Sequence, residues 1–293
     1  MKHILLILVG LLFISGCELP QFSKGEFHTA PEAYNRCYTG NNQDGYEITD
    51  SICVFDCEEE GIDLTEGSPS NTAIYINQKE NVEIKNCEIS GWNYGIYLLE
   101  SHQITISNNN ITNSLLGIYS RLSSNNEILY NNLANNSEKG ILLSISYDNE
   151  ISHNSLTNND YIGIRLFFSD RNIIKGNAIN DGFYGISIRH GSSNIISENT
   201  ITNSEISGIE LWDTILNRIL MNILIGNQAG FELLESNNNI ISNNIACDDN
   251  TYSVNCYSDN NVNEGNGNYF SRRLIDGCSD SWPILGEHYS HCG

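Results

Sequence analysis

Two glutamates, Glu210 and Glu232, hold the same place in two successive segments, Gly208-Ile209-Glu210-Leu211 and Gly230-Phe231-Glu232-Leu233. If such segments stack as strands, the carboxylates lie about 5 Å apart. Carboxylates at that separation suit retaining glycoside chemistry, one raising the pKa of the other. They also suit a calcium ion, which takes oxygen ligands. The plainer reading is a pair of solvated acids. Asp213 is a third acid nearby, and Arg189 is placed to stabilise developing charge. A second set in the same stretch points to binding instead: Arg165, Phe167, Arg189, His190 and Trp212. Phe167, Arg189 and Trp212 recur at equivalent places in successive units. An Arg between two aromatic rings makes cation–π contacts, and exposed aromatic faces suit sugar rings.

The elements that position these residues are repeats. Glycines fall at 95, 117, 140, 163, 185, 208 and 230, always 22 or 23 residues apart. Each is followed by an apolar residue, and in all units but Ile118/Ser120 by another two positions later. That is period-2 alternation, one face in and one out. A second series reads I-x-x-N-x-(I/L), with Asn109, Asn131, Asn154, Asn177, Asn199, Asn222 and, from Ile240 to Ile245, Asn243. Cys87 stands in the Asn place of the first unit. A unit with three short strand-like pieces and no helix cannot bury an apolar face alone, but stacked copies can. Asn tolerates φ > 0 at a sharp bend. Stacked about 4.8 Å apart, the Asn side chains form a hydrogen-bonded ladder. The expected outward positions between the apolar pairs are Tyr97, Tyr119, Leu142, Arg165, Ser187, Glu210 and Glu232.

The 293 residues carry a formal net charge of -22, which disfavours nucleic acid and anionic membrane surfaces as partners. No Pro falls between Pro69 and Pro283, as suits long backbone ladders. The start resembles a lipoprotein signal: basic Lys2, an apolar run from Ile4 to Ile14, then Ser15-Gly16-Cys17. The run is shorter than the ~20 residues a spanning helix needs. The expectation is a signal peptide at 1–16, lipidation on Cys17, and an extracytoplasmic, membrane-anchored chain. The other cysteines, Cys37, Cys53, Cys57, Cys87, Cys247, Cys256, Cys278 and Cys292, are then expected in disulfides. Cys247–Cys256 and Cys278–Cys292 are the expected local bridges; pairing among the first four stays open. The expected divisions are a tether at 17–35, an N-terminal cap and irregular first coil at 36–71, repeats at 72–262, and a Cys-rich cap at 263–293.

The repeat resembles the PbH1 unit of right-handed parallel β-helix proteins, in particular the NosD-like and carbohydrate-binding/sugar-hydrolase groups. The resemblance rests on the G-I-x-L strand and the Asn series over ~72–262. It implies an all-β, single-stranded right-handed parallel β-helix of about eight to nine coils, with ligands along the outward face of the first sheet. Leucine-rich repeats are excluded, because Gly, Asn and β-branched Ile fill both halves of the unit. Arg189-His190-Gly191 resembles the H-G element of polygalacturonases, but their paired-Asp motifs are missing, and so is the Asp-Pro-His signature of alginate epimerases. The NosD likeness implies a copper-site accessory role. Met221 and the group Cys278, His288, His291 and Cys292 are the residues that reading has to draw on. The preferred reading is a non-catalytic, monomeric surface protein that binds a polysaccharide or another surface component. The alternatives are a carbohydrate-active enzyme using the stacked acids and the copper accessory. No cofactor or metal site is expected, with calcium the one ion the acids suit.

Overall fold

A computed structural model describes residues 37–247, 251–256, 264–270 and 275–276. Within them the chain winds into three parallel sheets, of 12, 10 and 9 strands. Each regular coil gives one strand to each sheet. One coil, for example, runs through Tyr184–Arg189, Ile195–Ser197 and Thr200–Thr202. Neighbouring strands pair in parallel one repeat apart, Ile186 opposite Ile164 and Ile209. The exception is the N-terminal hairpin, where Tyr38–Asn41 lies antiparallel to Gly45–Ile48. Gly45–Ile48 then pairs in parallel with Thr72–Asn77 and opens the first sheet.

The alternation decides what is buried. Ile96, Ile118, Ile141, Ile164, Ile186, Ile209 and Phe231 form one inward column without solvent exposure. Removing each such side chain from water is worth about 1.5–3 kcal/mol. Ser120 faces inward in the second column where its neighbours are Leu98 and Leu143. Its hydroxyl is buried and makes no hydrogen bond among the described residues. The recurring Gly answers a close approach rather than a positive φ. A Cβ on Gly117 would sit 2.6 Å from the Gly140 carbonyl oxygen and 2.7 Å from a Leu133 methyl.

The Asn ladder is present, with two corrections. Asn109, Asn131, Asn154, Asn177, Asn199 and Asn222 are buried. In each, the side-chain amide donates to the Oδ1 of the next, 2.9–3.0 Å away. The left-handed conformation, however, belongs to the residue before each of them: Asn108, Tyr130, His153, Gly176, Glu198 and Met221. The Asn is there to satisfy buried backbone, not to bend it. It accepts from the previous coil and donates to a strand carbonyl, as Asn154 does to Ile128 O at 2.8 Å. The rung after Asn222 is Asn244, not Asn243, and Asn244 passes the ladder on to Asn268 Oδ1 at 3.1 Å. Asn222 donates to Asn244 Oδ1 at 2.9 Å, whereas Asn243 takes the φ of 56°. Ile241 is fully buried and Ile240 exposed, so the expected register was one residue out, which in a strand exchanges the two faces.

A second Asn ladder, absent from the sequence reading, runs along the turn between the first and second sheets. It links Asn149, Asn172, Asn194, Asn217 and Asn239 at 2.9–3.2 Å. In the cap, Cys37 pairs with Cys53 and Cys57 with Cys87, which closes the question left open above. Glu58, Glu59 and Glu60 lie on one helical turn, Cys57–Glu60, capped by Asp56 accepting from the Glu58 and Glu59 amides. Burial raises the Asp56 pKa, but hydrogen bonds from Asn86 and those two amides, with Lys85 beside it, outweigh burial and hold it below 3.8. Cys247 and Cys256 are also disulfide-bonded. Cys17, Cys278 and Cys292 lie outside the described residues.

Candidate functional site

The outward side of the first sheet carries columns set by strand register. One column reads Glu47, Tyr75, Tyr97, Tyr119, Leu142, Arg165, Ser187, Glu210 and Glu232. The next contains Ser144, Phe167, Arg189, Trp212 and Leu234. The expected stacking of Phe167, Arg189 and Trp212 is therefore present.

Their contacts differ in detail from the expectation. Arg189 does not bridge two rings. Its guanidinium lies 4.3 Å from the Trp212 ring centroid, and Arg165 is the cation over Phe167, at 5.3 Å. Arg189 also grips Glu210 through two hydrogen bonds, Nε to Oε2 at 2.9 Å and Nη2 to Oε1 at 2.8 Å. Ser187 Oγ donates to the same Oε2. Glu210 is thus neither solvated nor open: 2% of its side chain is exposed. Burial works against the Arg189 charge, but the bond to Glu210 and its negative charge outweigh it and raise the pKa. Glu232 is the register partner of Glu210 on the next coil and is buried as well. Burial, reinforced by the charges of Glu210 and Glu232, pushes the Tyr184 phenol up to about 12, so it stays protonated.

Arg165 is different. It is half-buried, and among the described residues it makes no ion pair. Burial, then the nearby Arg189, lowers its pKa, while Glu210, Tyr161 and Tyr184 pull the other way. A desolvated guanidinium without a carboxylate partner is costly unless something anionic meets it. Just beyond the strands, His190 Nδ1 lies 2.9 Å from Asp213 Oδ2, and the His190 ring stacks on Phe168 at 4.5 Å. Among the described residues no three His, Cys, Asp or Glu side chains converge as a metal site. Met221 sits exposed on another face, and His288 and His291 lie outside the described residues.

Tyr97 and Tyr119, expected to face outward, do so, but the sequence reading did not join them with Tyr75 and Tyr94 into a group toward the N-terminal end of the sheet. Tyr97 and Tyr119 stack at 4.8 Å with 4° between their planes, and Tyr75 and Tyr94 lie 5.4 Å from Tyr97. Tyr75, Tyr97 and Tyr119 recur every 22 residues, a signal as regular as the glycines.

A solenoid of three parallel sheets with ladders at its turns is a parallel β-helix. The sequence matches the family described as right handed beta helix region over residues 34–166, 72–219 and 150–279, and the chain belongs to it. No curated protein sequence matches it. Among solved structures, a variant of the periplasmic alginate epimerase AlgG is similar at 14% identity and a TM-score of 0.59, over 74% of this chain and 66% of that one. The alginate lyase from Paenibacillus sp. str. FPU-7 is similar at 17% identity and a TM-score of 0.55, over 72% of this chain and 92% of that one. The catalytic domain of a GH87 alpha-1,3-glucanase is similar at 14% identity and a TM-score of 0.54, over 72% and 54%. The chain spans 50–66% of the epimerase structures' length. These likenesses establish the fold.

Proposed function

We propose that the protein binds an acidic polysaccharide along the outer face of the first sheet, over the coils that carry Arg165, Arg189 and Trp212. The observation that carries this reading is Arg165, a half-buried cation with no ion-pair partner among the described residues, over the Phe167 ring. An anionic sugar group meets that charge, while Phe167 and Trp212 offer apolar surface to sugar rings. Arg189 is held by Glu210 and orients Trp212 rather than binding the anion itself. The net charge of -22 repels a polyanion at long range. That repulsion is screened beyond about 8–10 Å at physiological salt, so local contacts at Arg165 decide binding. Similar structures with alginate in their names agree with an acidic glycan. The Cys37–Cys53 and Cys57–Cys87 bridges support an oxidising, extracytoplasmic setting, with Cys17 as the proposed lipid anchor.

The test is affinity electrophoresis against acidic and neutral polysaccharides. The expected result is retardation by an acidic glycan, lost on Trp212→Ala. Retardation by neutral glycans alone overturns the charge assignment. A second reading, a carbohydrate-active enzyme, is favoured by one observation: the exposed His190 is oriented by Asp213 at 2.9 Å, as a general base is. Turnover of a bound glycan, lost on His190→Ala and reduced by Asp213→Asn, would establish it; binding without turnover would exclude it.

A further inference from the structure

The first sheet carries a cleft at its N-terminal end, away from the Arg165 face. A cleft of about 560 Å³ opens between the hairpin of Tyr38–Asn41 and Gly45–Ile48 and the strands Thr72–Asn77 and Tyr94–Leu99. That size suits a small ligand or one or two sugar units. Four tyrosines line it, Tyr46, Tyr75, Tyr94 and Tyr97, together with two acids, Asp44 and Glu47. No Lys or Arg is among the residues lining it.

The cleft is built by close packing. Gly45 has a φ of 88°, and a Cβ there would lie 2.0 Å from the Thr72 carbonyl oxygen, so the hairpin fits against the first regular strand only with Gly at this point. The rings of Tyr75 and Tyr94 incline to that of Tyr97 by 37° and 41°, and Tyr97 is backed by Tyr119. Glu47 is exposed and stands directly beside Tyr75 in the strand register. Tyr75 feels the local field: burial first, then Tyr97 and the charges of Glu47 and Glu100, raise its pKa. Inclined aromatic faces with acids and no basic group repel anions. They attract a cation, whose charge the rings and the carboxylates share.

We propose that this cleft binds an organic ammonium group, its cation against the tyrosine faces with Asp44 and Glu47 as counter-charges. The site is separate from the Arg165 face and takes a ligand of opposite charge, so it stands or falls independently of the function proposed above. Two sources present that group: an amino sugar and a quaternary ammonium such as choline.

The experiment is calorimetric titration of the protein with a glucosamine trisaccharide, its fully N-acetylated counterpart, and choline. The expected result is binding of the glucosamine trisaccharide, with the N-acetylated form about tenfold weaker. Glu47→Gln and Tyr97→Ala should each weaken it about five- to tenfold, and Trp212→Ala should leave it unchanged. Choline binding without glucosamine binding supports the ammonium site and assigns the quaternary source. Equal binding of the amine and its N-acetylated form overturns the proposal, as does no binding by either amine. If Tyr97→Ala lowers the melting temperature, the exposed Glu47→Gln carries the test, and amine binding unchanged by Glu47→Gln overturns the proposal.

Discussion

The two ends of the first sheet share one backbone and differ in the chemistry they present. At the N-terminal end the outward column reads Glu47, Tyr75, Tyr97 and Tyr119, one acid and three phenols, the first three of these residues lining a cleft. Further along it reads Arg165, Ser187, Glu210 and Glu232, with Phe167, Arg189 and Trp212 beside them. Inward residues are nearly interchangeable between the ends, Ile74 and Ile96 against Ile186 and Ile209, all fully buried. The β-helix therefore separates two tasks. The inward and corner positions hold the coil, and the outward positions are free to differ in charge. An enclosed site would couple the two tasks, because each change in a lining residue would alter the packing around it.

Breaking the scaffold should disable both ends together. Asn177→Ala leaves the Asn154 amide groups, backbone and side chain, without their acceptor in a buried place. A loss of about 3 kcal/mol is expected, read as a lower urea midpoint with both binding activities falling in parallel. Glu210→Gln should separate the ends. It removes the charge that holds a mostly buried Arg189, at a cost of about 2 kcal/mol. Acidic-glycan binding should drop while ammonium binding in the cleft persists, both measured by titration. Asp56→Asn acts on the cap that walls the cleft. Because the folded Asp56 pKa is depressed, its contribution is complete at neutral pH. It begins to be lost as pH falls past 3.8 and is gone below the folded value. The Asp56→Asn protein should therefore lose less stability between about pH 4 and pH 2 than the parent, as acid titration followed by circular dichroism would read. Smallest of all, Ser120→Ala removes a buried hydroxyl without a partner and should be neutral or stabilise by up to about 1 kcal/mol, with neither site changed.

Much of this was legible in the sequence, because it depends on local periods. The Gly series at 22 or 23 residues, the alternating apolar pairs and the I-x-x-N corners each specify a register, and stacking follows. Where two registers fit, periodicity was blind. Ile240-Ile241 and Asn243-Asn244 are doublets, and only burial picks Ile241 and Asn244. The second ladder was hidden by the abundance of Asn, although Asn149, Asn172, Asn194 and Asn217 each stand two residues before a buried Ile. The union of Arg189 with Glu210 was not legible. Register pairs Arg189 with Trp212, and the ion pair forms diagonally, through the reach of a long side chain. The cleft was not legible either, since its outer wall is an antiparallel hairpin outside the repeat.

The central claim is that Arg165 makes the C-terminal half of the first sheet a site for anionic sugar. The most direct measurement is titration of the protein and of Arg165→Gln with a uronate oligosaccharide. The account predicts binding by the parent, weakened about tenfold or more in the variant at unchanged melting temperature, with the cleft's ammonium binding intact. Equal affinity of parent and variant for the uronate, or none in either, would contradict it.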